Sequence, residues 1–335
     1  MLTRIYIDNF RSFVNFECRP ERKQLLLGAN GTGKSSLLDA IRYLKQFVEG
    51  DGNPFTRSTR TRWQDRPLQV LEVEALLDGN KFEYRVEIQH GPEPMLVNLE
   101  SLKVSGTPVF ELANDEIRFF PNNSRQATVL PLRTKESSLH LSQLSNSHVH
   151  RFVEWIESVH CFRIDPYLGT SDQGTSKEEK KPDDNLGNLA GWYRYLLQAH
   201  PEENLGFLNS MKESLSGFRS LRFSESRGRL QAQFLAPTRD GVTYSIQALS
   251  EGQRCLLALY MILHFLIVKG HTVFIDEPDN FIALREIQPW LMAAEEAVED
   301  HEGQLILISH HPEILNQWAQ SYGLRFFREE NGHVR

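Results

Sequence analysis

The stretch LLLGANGTGKSSLLDAI, residues 25–41, joins an apolar run to a glycine-rich turn and then to a helical pattern. Leu25-Leu26-Leu27 reads as a buried strand, and Ser36 to Ile41 reads as the start of a helix with apolar residues at Leu37, Leu38 and Ile41. Between them Gly28, Gly31 and Gly33 remove side chains from a turn whose backbone N–H groups must converge on an anion. Strand, loop and helix in that order are the context of a P-loop. The expected phosphate-binding residues are Asn30, Gly31, Thr32, Gly33, Lys34, Ser35 and Ser36. Lys34 is placed on the β- and γ-phosphates and Ser35 offers its hydroxyl to Mg2+, while the helix N-terminus adds about half a positive charge.

Three further segments lie near the other end of the chain. Thr272-Val273-Phe274-Ile275 is an uncharged β-branched and aromatic run, the pattern of a buried parallel strand, and it ends in Asp276-Glu277. Two adjacent carboxylates at a strand end suit ATP hydrolysis, with Asp276 holding Mg2+ and Glu277 orienting or deprotonating the attacking water. A second apolar run, Gln304 to Ile308, ends in Ser309-His310-His311-Pro312, which puts an imidazole at the carboxyl edge of a sheet, where open α/β folds bind ligands. His310 is the preferred γ-phosphate sensor and His311 the alternative. The third segment, LSEGQ at 249–253, precedes the apolar run Cys255 to Val268. That run contains His264, falls short of the roughly 20 residues needed to span a bilayer, and reads as a buried helix.

The segments LTRIYIDNFRSFVNFECRPERKQLLLGANGTGKSSLLDAIRYL, LSEGQRCLLALYMILHFLIV, TVFIDEPDNFI and LILISHHPEIL together resemble the SMC, RecF and OLD group of ABC-type ATPases. The resemblance implies an α/β fold: a P-loop NTPase head with a mixed central sheet, an antiparallel β-subdomain and a helical subdomain. It implies ATP and Mg2+ as ligands and a divided site, in which Ser250, Glu251, Gly252 and Gln253 serve the nucleotide of an opposite copy, with Ser250 and the Gly252 backbone on its γ-phosphate. Glu251 departs from the family's LSGGQ pattern, and an acid beside a γ-phosphate is unfavourable, so it is expected to face outward. The SALD stretch that usually follows the acidic pair is replaced by Asp279-Asn280-Phe281-Ile282-Ala283-Leu284-Arg285.

Expected boundaries within a single head over 1–335 are a P-loop lobe over 1–66, a β-subdomain over 67–121, a helical subdomain over 137–220, and a lobe over 221–335 that carries the later motifs. Alternating segments over 67–121, punctuated by Asp78-Gly79-Asn80 and His90-Gly91-Pro92, give hairpin signals. Residues 137–159 read as one helix with an imperfect apolar stripe of Leu141, Leu144, Val149, Phe152, Val153 and Ile156. Gln143 within it is a further candidate for reporting on Mg2+. Residues 169–188 contain no aliphatic residue from Thr170 until Leu186 and are expected to form a mobile surface loop. Arg57, Arg60, Arg62 and Arg66 cluster with Trp63 in a loop that is either simply solvated or in contact with phosphate, a partner or nucleic acid.

A net charge of −7 argues against a protein that wraps nucleic acid, although DNA contact through a local basic patch stays open. Three cysteines without CxxC spacing indicate neither a disulfide framework nor a zinc site, and they suit reducing cytosol. With no leader, no membrane segment, no heptad pattern and little chain after His310, the expectation is a cytoplasmic ATPase head standing alone, with no long coiled coil and no membrane partner. Such a head would form an ATP-linked homodimer or higher homo-oligomer and control a separate effector, a nuclease or toxin. Compact heads of this kind resemble the ATPase components of PARIS, Septu and retron anti-phage systems. A RecF-like DNA-binding repair ATPase and an ATP-bound scaffold are the two other readings.

Overall fold

The alternation after Pro67 folds as half-buried antiparallel strands, as period-two patterning requires. The computed structural model describes residues 1–91, 95–122, 126–165, 167, 177–225, 228–236, 241–310 and 312–335. Two units result: Met1–His160 with Leu324–Arg335, and Cys161–Gly323.

The first unit holds β1 (Leu2–Asp8), β2 (Phe16–Cys18), β3 (Lys23–Leu27), α1 (Lys34–Glu49), β4 (Leu68–Leu77), β5 (Asn80–Gln89), β6 (Leu96–Val104), β7 (Thr107–Ala113), β8 (Glu116–Phe119), β9 (Thr128–Pro131), α2 (His140–Gln143) and α3 (Ser147–Glu157). Eight of these strands form one antiparallel sheet in the order β2-β1-β4-β5-β6-β7-β8-β9. At Asp78-Gly79 both residues have positive φ, 49° and 76°, so Leu77 pairs directly with Asn80 across a two-residue turn. Ser105-Gly106 and Asn114-Asp115 repeat the device with φ of 49°, 83°, 54° and 59°. On one face of β5, Phe82, Tyr84, Val86 and Ile88 are buried, and Phe152 of α3 stacks on Tyr84 at 5.0 Å. The other face is a charge ladder in which Arg4 and Arg85 both pair with Glu72.

The single helix expected over 137–159 is instead two helices and the start of a strand. Ser137 and Ser138 are committed to Glu100, a fully buried carboxylate that accepts from the Ser137 hydroxyl at 2.5 Å, the Ser138 N–H at 2.8 Å and the Tyr84 hydroxyl at 2.7 Å. Burial raises the Glu100 pKa. Asn146 then interrupts the helix: its side chain accepts from the N–H groups of His148 and Val149 and so caps α3. Val149, Phe152, Val153 and Ile156 are buried as the stripe requires, but Leu141 is 48% exposed and Leu144 100% exposed, because α2 is not part of that helix. Asn146→Ala removes the cap, which is worth about 1 kcal/mol. Thermal unfolding should register it as a fall in Tm of about 1–2 °C.

The second unit contains β10 (Val159–Arg163) from Cys161 onward, α4 (Leu189–Ala199), α5 (Pro201–Ser214), β11 (Phe218–Phe223), β12 (Leu230–Phe234), β13 (Val242–Ser245), α6 (Glu251–Ile262), β14 (Thr272–Asp276), α7 (Leu284–Asp300), β15 (Gln304–Ile308) and α8 (Pro312–Tyr322). β14 and β15 run parallel in register from Thr272↔Gln304 to Asp276↔Ile308, every residue of both is buried, and β10 lies beside β14. β11, β12 and β13 make a small antiparallel sheet. The apolar run Cys255 to Val268 is not one uniform α-helix: α6 ends at Ile262 and a π-turn covers Leu263–Ile267. Of the loop expected over 169–188, residues 169–176 lie outside the described residues. The remainder is irregular but tied down, with Leu186 fully buried and Asp184 accepting from the Arg163 N–H at 3.0 Å. Among the described residues the longest helix is α7, with 17 residues, and no helix is long and apolar enough to cross a membrane.

Candidate active site

In the first unit the P-loop runs from β3 to α1. Gly28, Gly31 and Gly33 have φ of 148°, 81° and 93°, a left-handed geometry that a side chain would strain. A Cβ on Gly28 would also sit 2.5 Å from the Phe326 carbonyl oxygen and 2.7 Å from the Thr32 hydroxyl. Lys34 is buried and curls back over the loop, its ammonium donating to the Gly28 carbonyl at 2.6 Å and the Ala29 carbonyl at 3.1 Å. The Thr32 hydroxyl donates to the same Ala29 carbonyl at 2.8 Å. Asn30 and Gly31 are exposed at the tip, and Ser35 and Ser36 are half-buried in the first turn of α1. That turn carries no acid, so nothing offsets its positive end. The loop therefore meets the geometric needs of a polyphosphate: open backbone, one cation and a helix N-terminus.

Beside this loop lies a cavity of about 520 Å³, lined by Arg11, Arg60, Arg62, Arg328, Trp63, Ser12, Ser36 and Ser58. The arginine-rich loop of the sequence is thus not merely solvated. A buried polar network fixes it: Asn9 donates to the carbonyls of Arg66 and Leu68, both at 2.8 Å, and Gln69 donates to the Asn9 carbonyl at 3.0 Å. His90 lies 3.0 Å from the Gln69 amide oxygen. Burial pushes the His90 imidazole down to about 4, with Arg60 and Arg57 adding to the shift, so it is neutral at pH 7. Arg11 pairs with Asp39 from a left-handed backbone at φ 50°, and the Arg328 guanidinium lies 5.4 Å from the Trp63 ring centre. Gln143 ends α2 in the same unit, 3.4 Å from His150.

In the second unit Asp276 and Glu277 stand at the carboxyl end of β14. Asp276 is buried and accepts from Arg163, the last residue of β10. Glu277 is exposed and held at φ 53°, a left-handed conformation that costs about 1–3 kcal/mol and recurs at functional sites. Its N–H donates to the Ile308 carbonyl at 2.8 Å, and its carboxylate accepts from the Asn280 amide at 2.6 Å. Ser309, fully buried after β15, donates to Asp279 at 2.6 Å. His310 follows, exposed; His311 lies outside the described residues.

Ser250 and Gln253 form a capping box at the start of α6: the Ser250 hydroxyl accepts from the Gln253 N–H at 3.2 Å, and the Gln253 side chain accepts from the Ser250 N–H at 3.0 Å. A Cβ on Gly252 would lie 2.7 Å from the Phe281 carbonyl oxygen, so a side chain there would displace the segment that follows Glu277. Phe281 itself is left-handed at φ 69°. Glu251 is half-buried, and its carboxylate, hydrogen-bonded by the Tyr167 phenol, raises that phenol's pKa.

Arg163, Asn280, Ser309 and Tyr167 escape sequence reasoning. Asn280 and Ser309 do adjoin recognised motifs. Among the described residues no group of three or more His, Cys, Asp or Glu side chains is placed to hold a metal ion. Taken separately, the Asp276 carboxylate of one unit and the Ser35 hydroxyl of the other are oxygen donors of the kind Mg2+ takes. Cys18 and Cys255 are buried, their thiols pushed up to about 12 and 11, so neither is poised as a nucleophile.

This arrangement defines a P-loop nucleotide-binding head of mixed α/β class. The chain belongs to the family described as "AAA domain, putative AbiEii toxin, Type IV TA system", which matches residues 25–316. No curated protein matches its sequence. Its fold is that of SMC heads. It is similar to the SMC head domain from Thermotoga maritima, with 14% identity, TM-score 0.54 and coverage of 99% of this chain and 97% of that one. It is also similar to an SMC head bound to the C-winged helix domain of ScpA, with 13% identity, TM-score 0.62 and coverage of 100% of this chain and 96% of that one.

Proposed function

We propose that the chain binds and hydrolyses ATP, pairs head-to-tail with a second copy through that ATP, and uses its nucleotide state to control a separate effector, a nuclease or toxin, in bacterial anti-phage defence. The observation that carries the ATP assignment is the left-handed glycine loop with Lys34 folded over it. The basic cavity beside it, with Trp63 at its wall, supports a ligand that carries both phosphates and a planar base.

In this reading Lys34 binds the β- and γ-phosphates, and Ser35 and Asp276 hold Mg2+. The ion, when bound, neutralises phosphate charge. Glu277 accepts the proton of the attacking water, with the Asn280 amide fixing its orientation. His310 contacts the γ-phosphate. Ser250 keeps its hydroxyl hydrogen for a phosphate of the opposite copy, since in the capping box its oxygen only accepts. The family description, with its toxin and toxin–antitoxin wording, favours the defence role. The ScpA-bound SMC head supports the idea that a head of this fold takes a protein partner.

Ser250→Arg tests the divided site. The bulky cation should lower turnover at least tenfold while the affinity of one head for ATP, measured by fluorescence titration, stays within a factor of about two. If turnover is unchanged, the signature does not serve the nucleotide of another copy.

A further inference from the structure

The carboxylate assigned to the cation is already engaged. Arg163 donates to Asp276 through Nη2 at 2.5 Å and Nε at 3.1 Å, both to the same oxygen, Oδ2. The pair is lopsided: the Asp276 side chain is 6% exposed and that of Arg163 is 66% exposed. The other four residues of β10 are all buried, and the Arg163 N–H is bonded to the Asp184 carbonyl, so the backbone beneath the guanidinium is fixed while the side chain has room to swing. Two N–H groups on Oδ2 occupy that oxygen's lone-pair directions, which takes away bidentate binding by a hard cation, and a guanidinium in place repels a dication at either oxygen. The guanidinium stays charged at any physiological pH, so its withdrawal has to be conformational.

We propose that Arg163 competes with the divalent cation for Asp276, and thereby sets the cation concentration at which the head takes up nucleotide. The proposal rests on the nucleotide-binding reading above. It distinguishes Arg163 from a merely structural partner, because a structural arginine at this strand end would leave cation affinity unchanged or weaken it when removed.

The test is a titration of the full chain with Mn2+ in the presence of a non-hydrolysable ATP analogue, with free Mn2+ counted by electron paramagnetic resonance. Arg163→Gln should lower the half-saturating Mn2+ about fivefold, the size expected for a pair whose cationic partner stands largely in water. Arg163→Lys, which keeps the charge but loses the planar fork, should fall between the two. Analogue affinity at saturating Mn2+ should be equal in all three proteins, and circular dichroism should show them equally folded. Unchanged or weakened Mn2+ binding in Arg163→Gln, with analogue affinity intact, overturns the competition and leaves the nucleotide site standing. Failure of the unaltered chain to bind the analogue at any Mn2+ concentration overturns the nucleotide site, and the competition with it.

Discussion

Lys34→Ala should weaken ATP binding by about 100-fold or more and remove turnover. The ammonium is drawn into the glycine turn and is buried there against two loop carbonyls. Charge-assisted hydrogen bonds to phosphate contribute about 1.5–3 kcal/mol each, and two of them correspond to 100-fold or more in affinity. The loop's remaining N–H groups and the α1 dipole would still attract phosphate, so residual millimolar binding is compatible with the loss. The check is a fluorescence titration with ATP and Mg2+, paired with a thermal-shift series: ATP should raise the Tm of the unaltered chain and leave that of the variant unmoved. Equal affinities in the two proteins would remove the P-loop assignment.

Glu277→Gln should separate binding from chemistry. The amide keeps the size and the contact with Asn280 but cannot accept a proton, so turnover should fall by about 10²- to 10⁴-fold while ATP affinity is retained. Turnover in the steady state and binding at equilibrium, measured on one preparation, decide the matter. A scaffold that holds ATP without using it would show the same slow rate in both proteins.

The motifs legible in the sequence are those whose partners are contiguous. The P-loop shows itself because glycines, lysine and the first helical turn occupy one short stretch, and β14 and β15 because a parallel strand buried on both faces reads as an unbroken apolar run. The β4–β5 turn was equally plain at Asp78-Gly79, because that dipeptide fits a two-residue turn. What stays hidden depends on partners remote in the chain. Arg163 meets Asp276 across 113 positions, and nothing local in the segment Val159–Arg163 announces that its last residue covers a carboxylate. The arginine-rich loop looks solvated by composition, because the residues that fix it, Asn9, Gln69 and His90, lie outside it. Residues 137–159 keep helical periodicity in part, but Glu100 engages Ser137 and Ser138, and the cap at Asn146 starts a new helix. Periodicity cannot register the Glu100 bonds, which are tertiary, whereas the Asn146 cap, to N–H groups two and three residues on, is a local signal that the apolar stripe masks.

Under the proposed function, ATP joins two heads. Light scattering on Glu277→Gln, with Mg2+ and either ATP or ADP, measures it most directly. The single-chain mass of 38.7 kDa is expected with ADP and a doubling of that mass with ATP, abolished when Ser250→Arg is added. A single-chain mass in both nucleotides, with ATP demonstrably bound, would contradict it.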